Sequence, residues 1–139
     1  MDLDSEGRAI QRPALTGVIL LDTNALIWWE QGHRRVQALG RRPGRLYISP
    51  ASLLEVQFLL EAGRIRLRDT TVAEIAEDER WILDDPPAAS WFIEALGVSW
   101  TRDPFDRLLV AHARLRGWRL ATGDRTLLAR VGASEGVEI

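Results

Sequence analysis

Hydrophobic and polar residues fall along this chain in blocks rather than singly. Val18-Ile19-Leu20-Leu21 is an apolar run that stops at Asp22-Thr23-Asn24. A continuous run of β-branched residues and leucine reads as a strand buried on both faces. Ala25 to Glu30 predicts a helix that Gly32 ends. Arg34 to Gly40 reads as a second short helical piece, Arg41 to Arg45 as a turn, and Leu46-Tyr47-Ile48 as a short strand. Ser49-Pro50 then supplies a helix N-cap and a first-turn proline. Leu53, Leu54, Val56, Phe58, Leu59 and Leu60 make that helix strongly apolar up to Gly63, and Glu55 sits among them in the second turn.

The second half repeats the alternation. Ile65 to Leu67 is a short connection, and Thr71-Val72-Ala73-Glu74 fits a capping box that starts an acidic helix. Trp81-Ile82-Leu83 reads as an edge strand before Pro86-Pro87, and Ala88 to Leu96 as a helix ended by Gly97. Asp103-Pro104-Phe105-Asp106 begins another helix, with Asp103 as N-cap and Pro104 in the first position, running to Gly117. Trp118 to Thr122 is a further strand, Gly123-Asp124 its closing turn, Thr126 to Arg130 a short helix, and Val137-Glu138-Ile139 a last edge strand. Strands alternating with helices predict an α/β fold, a three-layer α/β/α sandwich on a mainly parallel sheet. Residues 17–139 read as one domain, and the mixed, polar residues 1–16 as an N-terminal extension or frayed arm.

Composition removes several chemistries. The 139 residues suffice for one real core, and 46% apolar content excludes a disordered chain. There is no cysteine, hence no disulfide, thiolate zinc site or thiol nucleophile. All 18 basic residues are arginine, which removes any mechanism that needs a lysine. Net charge is −2, so no whole-molecule field draws in nucleic acid. No apolar run is long enough to span a bilayer, and the acidic start Met1-Asp2-Leu3-Asp4 is unlike a secretory signal. A soluble, cytoplasmic protein is expected.

The predicted topology brings acids together. Asp22 lies at the carboxyl end of the first strand and Asp124 just past the carboxyl end of the fourth. In a parallel α/β sheet the helix N-termini share that edge, where ligands bind. Glu55, Asp103 and Asp106 therefore point to the same rim. Like charges this close cannot all ionise unless something positive fills the cluster. Arginine could, but hard divalent cations suit oxygen ligands better and can activate water for phosphodiester hydrolysis. Asp103 is expected to act mainly as a helix cap. Asp106 could merely favour the helix dipole and Asp124 could be only a turn residue. Asp22 and Glu55, acids among apolar neighbours, resist so plain a reading.

Four stretches resemble a known family. Leu20-Leu21-Asp22-Thr23-Asn24-Ala25-Leu26-Ile27-Trp28-Trp29 looks like the opening of a PIN domain of the VapC-like toxins in type II toxin–antitoxin systems. Ser49 to Val56 resembles the second motif, Arg102 to Ala113 the third and most specific, and Leu120-Ala121-Thr122-Gly123-Asp124 the fourth. The likeness runs from about Val18 to the C-terminus, with the motifs in family order. It implies a PIN-like fold and a metal-dependent endoribonuclease using Mg2+ or Mn2+. Asp22, Glu55, Asp106 and Asp124 match the family's metal-site acids, and Thr122 a position often Thr or Ser beside them. It also implies an RNA substrate, a VapB-like antitoxin and a homodimer. The chain departs from the family where Asn24 stands for a common His and His112 for a common Gln.

Other features refine the expectation. Trp28 and Trp29 point different ways on their helix, one into the core and the other offering a surface for a partner or a second copy. Arg34, Arg35, Arg41, Arg42 and Arg45 form a basic stretch that could touch an RNA backbone or simply be solvated. Arg107 could pair with an acid or a phosphate. His112 is expected to be a packed histidine rather than a ligand, and Glu74 to Asp85 a solvated acidic face. A receiver domain is disfavoured without lysine, a haloacid-dehalogenase-like phosphatase by Asn at position 24, and a dinucleotide fold by the missing Gly-x-Gly-x-x-Gly. The remaining alternative is a catalytically weak PIN-like module that binds RNA or a protein partner.

Overall fold

The computed structural model describes residues 17–40 and 45–139. The extension expected over residues 1–16, the 41–44 turn, and Arg41 and Arg42 of the basic stretch lie outside the described residues. The hydrophobic run becomes β1 (Ile19–Leu21), which pairs in parallel with β2 (Leu46–Ile48) on one side and β4 (Arg119–Thr122) on the other. β3 (Ile82–Leu83) extends the sheet beyond β2, and β5 (Gly136–Glu138) beyond β4, both also parallel. The order is β3-β2-β1-β4-β5. β1 is therefore central, and each of its three residues is at most 1% exposed.

Side chains on a strand alternate across the sheet, and the two cores follow that alternation. Ile19, Leu21, Ile48 and Ala121 face a layer built from α1 (Thr23–Gln31), α2 (Gln37–Gly40), α3 (Pro50–Glu61) and α4 (Val72–Ala76). Leu20, Tyr47 and Leu120 face the opposite layer of α5 (Ala88–Leu96), α6 (Pro104–Arg116) and α7 (Arg125–Val131). The expected α/β/α sandwich and parallel sheet are what forms. Among the described residues no helix is long and apolar enough to cross a membrane.

Caps set most helix boundaries as the residue types dictate. Ser49 accepts from Ala51 N–H at the start of α3, and Thr71 from Glu74 N–H at the start of α4. Gly32 and Gly117 close α1 and α6 in the left-handed region, at φ of 68° and 70°, where a Cβ would be strained. The edge strand differs in detail from expectation. Trp81 is buried ahead of the strand, its indole N–H donating to the Ile75 carbonyl at 2.7 Å, and only Ile82 and Leu83 pair.

One expectation is corrected outright. The acidic stretch from Glu74 to Asp85 is not a uniformly solvated face, because Asp84 turns inward under α6. Its carboxylate accepts from His112 Nε2 at 2.7 Å and from Arg116 Nε at 2.8 Å. Since a carboxylate only accepts, His112 carries its proton on Nε2. Burial holds the His112 pKa below its ordinary value, with Asp84 opposing, so the ring is neutral at neutral pH. His112 is thus a packed histidine, as expected, and it joins the residue directly after β3 to α6. Asp84→Ala would strip the acceptor from a buried donor and from Arg116. It should lower unfolding free energy by about 1–3 kcal/mol in urea titrations at pH 7, with Asp84→Asn costing less because the amide oxygen still accepts.

Candidate functional site

The acids come together on the carboxyl edge of the sheet. Asp22 follows β1 directly and caps α1, accepting Ala25 N–H at 2.7 Å. Asp124 follows β4 after Gly123 and caps α7, one oxygen accepting Thr126 and Leu127 N–H at 2.9 and 3.1 Å. Glu55 stands in the second turn of α3 and Asp106 in the first turn of α6. All four line one small cavity of about 40 Å³, together with Thr23, Asn24, Leu109 and Leu127. Among the described residues, no arginine or histidine is in that lining.

Asp103 does not line the cavity. It caps α6, accepting Phe105 and Asp106 N–H at 2.8 and 3.2 Å, as its position before Pro104 predicts. Arg107 does not serve as a counter-charge either. Its Nε donates to the Thr101 carbonyl at 2.8 Å, which ties the loop before α6 to its first turn.

The electrostatics follow from burial without a cation. Burial pushes the Asp22 pKa up to about 6; hydrogen bonds from Thr122 and Ala25 resist, while Glu55 and Asp124 add repulsion. Asp106 rises to about 7, first through burial and then through the charges of Asp103, Glu55, Asp124 and Asp22. Glu55 also rises, mainly by burial, against a hydrogen bond with Thr23. Carboxylates that resist ionisation side by side are a donor set for a hard divalent cation, and hydroxyl and carboxyl oxygens are the ligands such ions take. Among the described residues, however, no three His, Asp or Glu side chains stand close enough to hold a metal ion as they are.

Two hydroxyls escaped the sequence reading. Thr23 Oγ1 and Ser52 Oγ are hydrogen-bonded at 3.1 Å, a buried link between α1 and α3 beside Glu55. The available signal was spacing: Thr23 follows Asp22, and Ser52 precedes Glu55 by three residues, one helical turn. Thr122, which the family resemblance did mark, is fully buried; its hydroxyl accepts Asp124 N–H at 3.0 Å and bonds Asp22.

One flank of the rim is aromatic and basic. Trp28 lies against Gly123, so closely that a Cβ there would meet its Cη2 at 2.6 Å. His33 stacks with Trp28 at 5.4 Å between ring centres, and the Arg35 guanidinium lies over the Trp28 ring at 5.0 Å. Trp29 turns the other way and packs on the core beside Gly40. The adjacent tryptophans do diverge as expected, but both are half-buried. The large exposed apolar side chains are elsewhere: Phe92, Ile93 and Leu96 on α5, Leu54 and Phe58 on α3, and Ile82 and Leu83 on β3.

Comparison with known proteins agrees with this fold. The PIN domain family matches residues 19–133. Ribonuclease VapC22 of Mycobacterium tuberculosis is 32% identical over 116 residues, covering 78% of this chain and 88% of that protein. Among solved structures, VapBC2 from Rickettsia felis bound to a DNA fragment from its promoter superposes with a TM-score of 0.59. The identity is 14%, over 87% of this chain and 98% of that one. PAE2754 from Pyrobaculum aerophilum superposes at 0.57 with 20% identity, over 90% and 91%. At these identities the structural likeness speaks for the fold alone.

The raised acids carry a signed pH dependence. A carboxyl whose folded pKa exceeds its unfolded one binds protons on folding, so stability falls as pH rises from about 4 to about 7. Asp84, lowered by its partners despite burial, acts in the opposite sense below that window. In EDTA, Asp22→Asn should flatten the fall between pH 4 and 7. The variant should be more stable than the parent at pH 8 by about 1–3 kcal/mol, since the amide keeps the cap without the buried charge. Thermal melts across that pH range read the effect.

Proposed function

This chain belongs to the PIN-domain family, and we propose that it is a divalent-metal-dependent endoribonuclease, the toxin of a type II toxin–antitoxin pair. The observation that carries the reading is the single cavity lined by Asp22, Glu55, Asp106 and Asp124, drawn from four separate stretches of sequence and, among the described residues, free of basic side chains. A binding surface for RNA would gain nothing from four converging acids, which repel phosphate. The 32% identity to a protein named a ribonuclease supports the same reaction class.

In this reading Asp22, Glu55, Asp106 and Asp124 hold Mg2+ or Mn2+. The ion, when bound, supplies activation of water and neutralises charge on the scissile phosphate. The chain's own contribution is positioning. Ala25 N–H and Thr122 fix the Asp22 carboxylate at the strand end. Asp124 uses one oxygen as a helix cap, which among the described residues leaves the other without a hydrogen bond. Thr23 steadies Glu55 from α1. Asp106, pushed up to about 7 by burial and its acid neighbours, carries a charge that a cation bound beside it would favour. The cavity has room for an ion and a water or two, not for a nucleotide, so the RNA strand lies across its mouth.

A VapB-like antitoxin is the partner in this proposal, by analogy with the VapBC2 assembly from Rickettsia felis. The location is cytoplasmic, where both RNA and antitoxin are met. The reading also includes a homodimer. Its apolar surface is not the Trp28–Trp29 pair but α5 and α3, where Ile93 and Leu96 are 67% and 73% exposed. Exposed apolar patches on this scale mark association surfaces.

The alternative, a catalytically weak module that binds RNA or a protein, draws on the open spacing of the carboxylates. Two measurements decide between them. The parent should bind Mg2+ or Mn2+ in calorimetry and cleave a structured RNA. Asp22→Asn and Asp106→Asn should each lose at least about 100-fold in cleavage while remaining folded, since a neutral amide is a poor ligand for a hard cation. Asp103→Asn should stay within a few fold of the parent, because Asn caps helices as well as Asp. A parent rate for Asp22→Asn would end the proposal. For assembly, sedimentation at micromolar concentration should give a dimer, and Ile93→Glu with Leu96→Glu a folded monomer.

A further inference from the structure

The basic and aromatic flank of the rim is not used by the acid cluster. Arg35 is the middle residue of a short 3₁₀ turn, Arg34–Val36, between α1 and α2, and three neighbours define its place. Its backbone N–H donates to His33 Nδ1 at 3.1 Å. Its guanidinium lies over the Trp28 ring, 5.0 Å from the centre. One terminal nitrogen comes within 3.5 Å of where a Gly123 Cβ would be. Gly123 and Asp124 form the turn that closes the acid cavity on this side. Arg35 is exposed, and among the described residues it has no carboxylate partner.

Charge placement gives this arrangement its meaning. Arg80, Arg114 and Arg116 are each bonded to an acid, and Arg107 and Arg119 to backbone carbonyls. Arg35 instead has its guanidinium set over an indole and, among the described residues, no acid paired with it, although an acidic rim is adjacent. A guanidinium already resting on an aromatic face has less freedom to lose when an anion binds. Phosphate is the anion that a planar fork recognises best. An RNA strand crossing the cavity mouth passes the Gly123 turn, and its backbone is the nearest source of phosphate.

We propose that Arg35, held on Trp28 beside the Gly123–Asp124 turn, is a phosphate-binding residue that seats the RNA nucleotide flanking the cleavage point. The proposal rests on the ribonuclease reading above. Arg35 offsets the repulsion between the acid rim and the RNA backbone and sets the direction in which the strand enters. Trp28 and Gly123 are positioning residues for it, since a side chain at 123 would displace the indole on which Arg35 rests.

The test uses the full-length protein and a labelled single-stranded RNA oligonucleotide. Binding is followed by fluorescence anisotropy in EDTA over a range of salt. Each phosphate contact contributes about 0.7 to the slope of log affinity against log salt for a single strand. Arg35→Ala should reduce that slope by about 0.7 and weaken binding several-fold. Arg35→Lys should keep most of the slope but recover only part of the affinity, because it restores charge without the fork. In Mg2+, Arg35→Ala should raise KM for RNA cleavage more than it lowers kcat. Melting temperature controls for folding, and Arg35→Gln serves should the alanine variant be unstable. An unchanged salt slope with parental cleavage overturns this inference and leaves the ribonuclease reading standing. A parent that cleaves no RNA with either Mg2+ or Mn2+ overturns both.

Discussion

Parallel pairing of β1 on both edges is the constraint from which the site follows. Ile19, Leu20 and Leu21 are sealed above and below by the two helical layers and bonded on either side to β2 and β4. A strand so enclosed cannot slip by one residue without sending its side chains to the wrong core. Asp22 is the first residue beyond that enclosure, so its backbone position is fixed before any local preference acts. Its own N–H donates to the Ala121 carbonyl at 3.0 Å, which continues the β4 pairing one residue past the strand. The same pairing sets Thr122 beside it and Asp124 within reach.

Against that fixed frame, electrostatics works at a cost. Four carboxylates share one small cavity, two of them with pKa values raised to about 6 and 7. The fold holds them there because each is tied to an element packed for other reasons. Asp22 and Asp124 double as helix caps, Asp106 sits in a helix start defined by Asp103 and Pro104, and Glu55 rides on the apolar α3. The energy of repulsion is thus set against packing that lies elsewhere, the usual arrangement at functional sites. A cation bound among them would relieve that repulsion.

Asp84 shows that position on the carboxyl edge is not enough. It too follows a strand directly, yet its side chain is spent on His112 and Arg116. That pairing ties β3, the shortest strand at an edge of the sheet, to α6, the helix that carries Asp106. One acid therefore braces the scaffold while its neighbours are left free for the cavity. The aromatic flank shows the same economy of roles: Trp28 packs on the bare backbone of Gly123 and in doing so carries Arg35 to the rim.

Much of this was legible from residues alone. The hydrophobic run into Asp22, the caps Ser49-Pro50 and Asp103-Pro104, and the glycines after α1 and α6 are local signals, and local signals decide where elements begin and end. Alternation of those elements then decides a parallel sheet, and a parallel sheet decides that Asp22, Glu55, Asp106 and Asp124 share an edge. What the sequence could not determine are contacts between side chains remote along the chain. Thr23 with Ser52, Asp84 with His112 and Arg116, and Trp28 with Gly123 span about 29, 28 to 32 and 95 positions, and no periodicity carries information over such distances. The same limit misplaced the exposed apolar surface, which the paired tryptophans advertised and α5 and α3 possess. Which face of a helix meets solvent depends on what packs against it, and only the tertiary structure decides that.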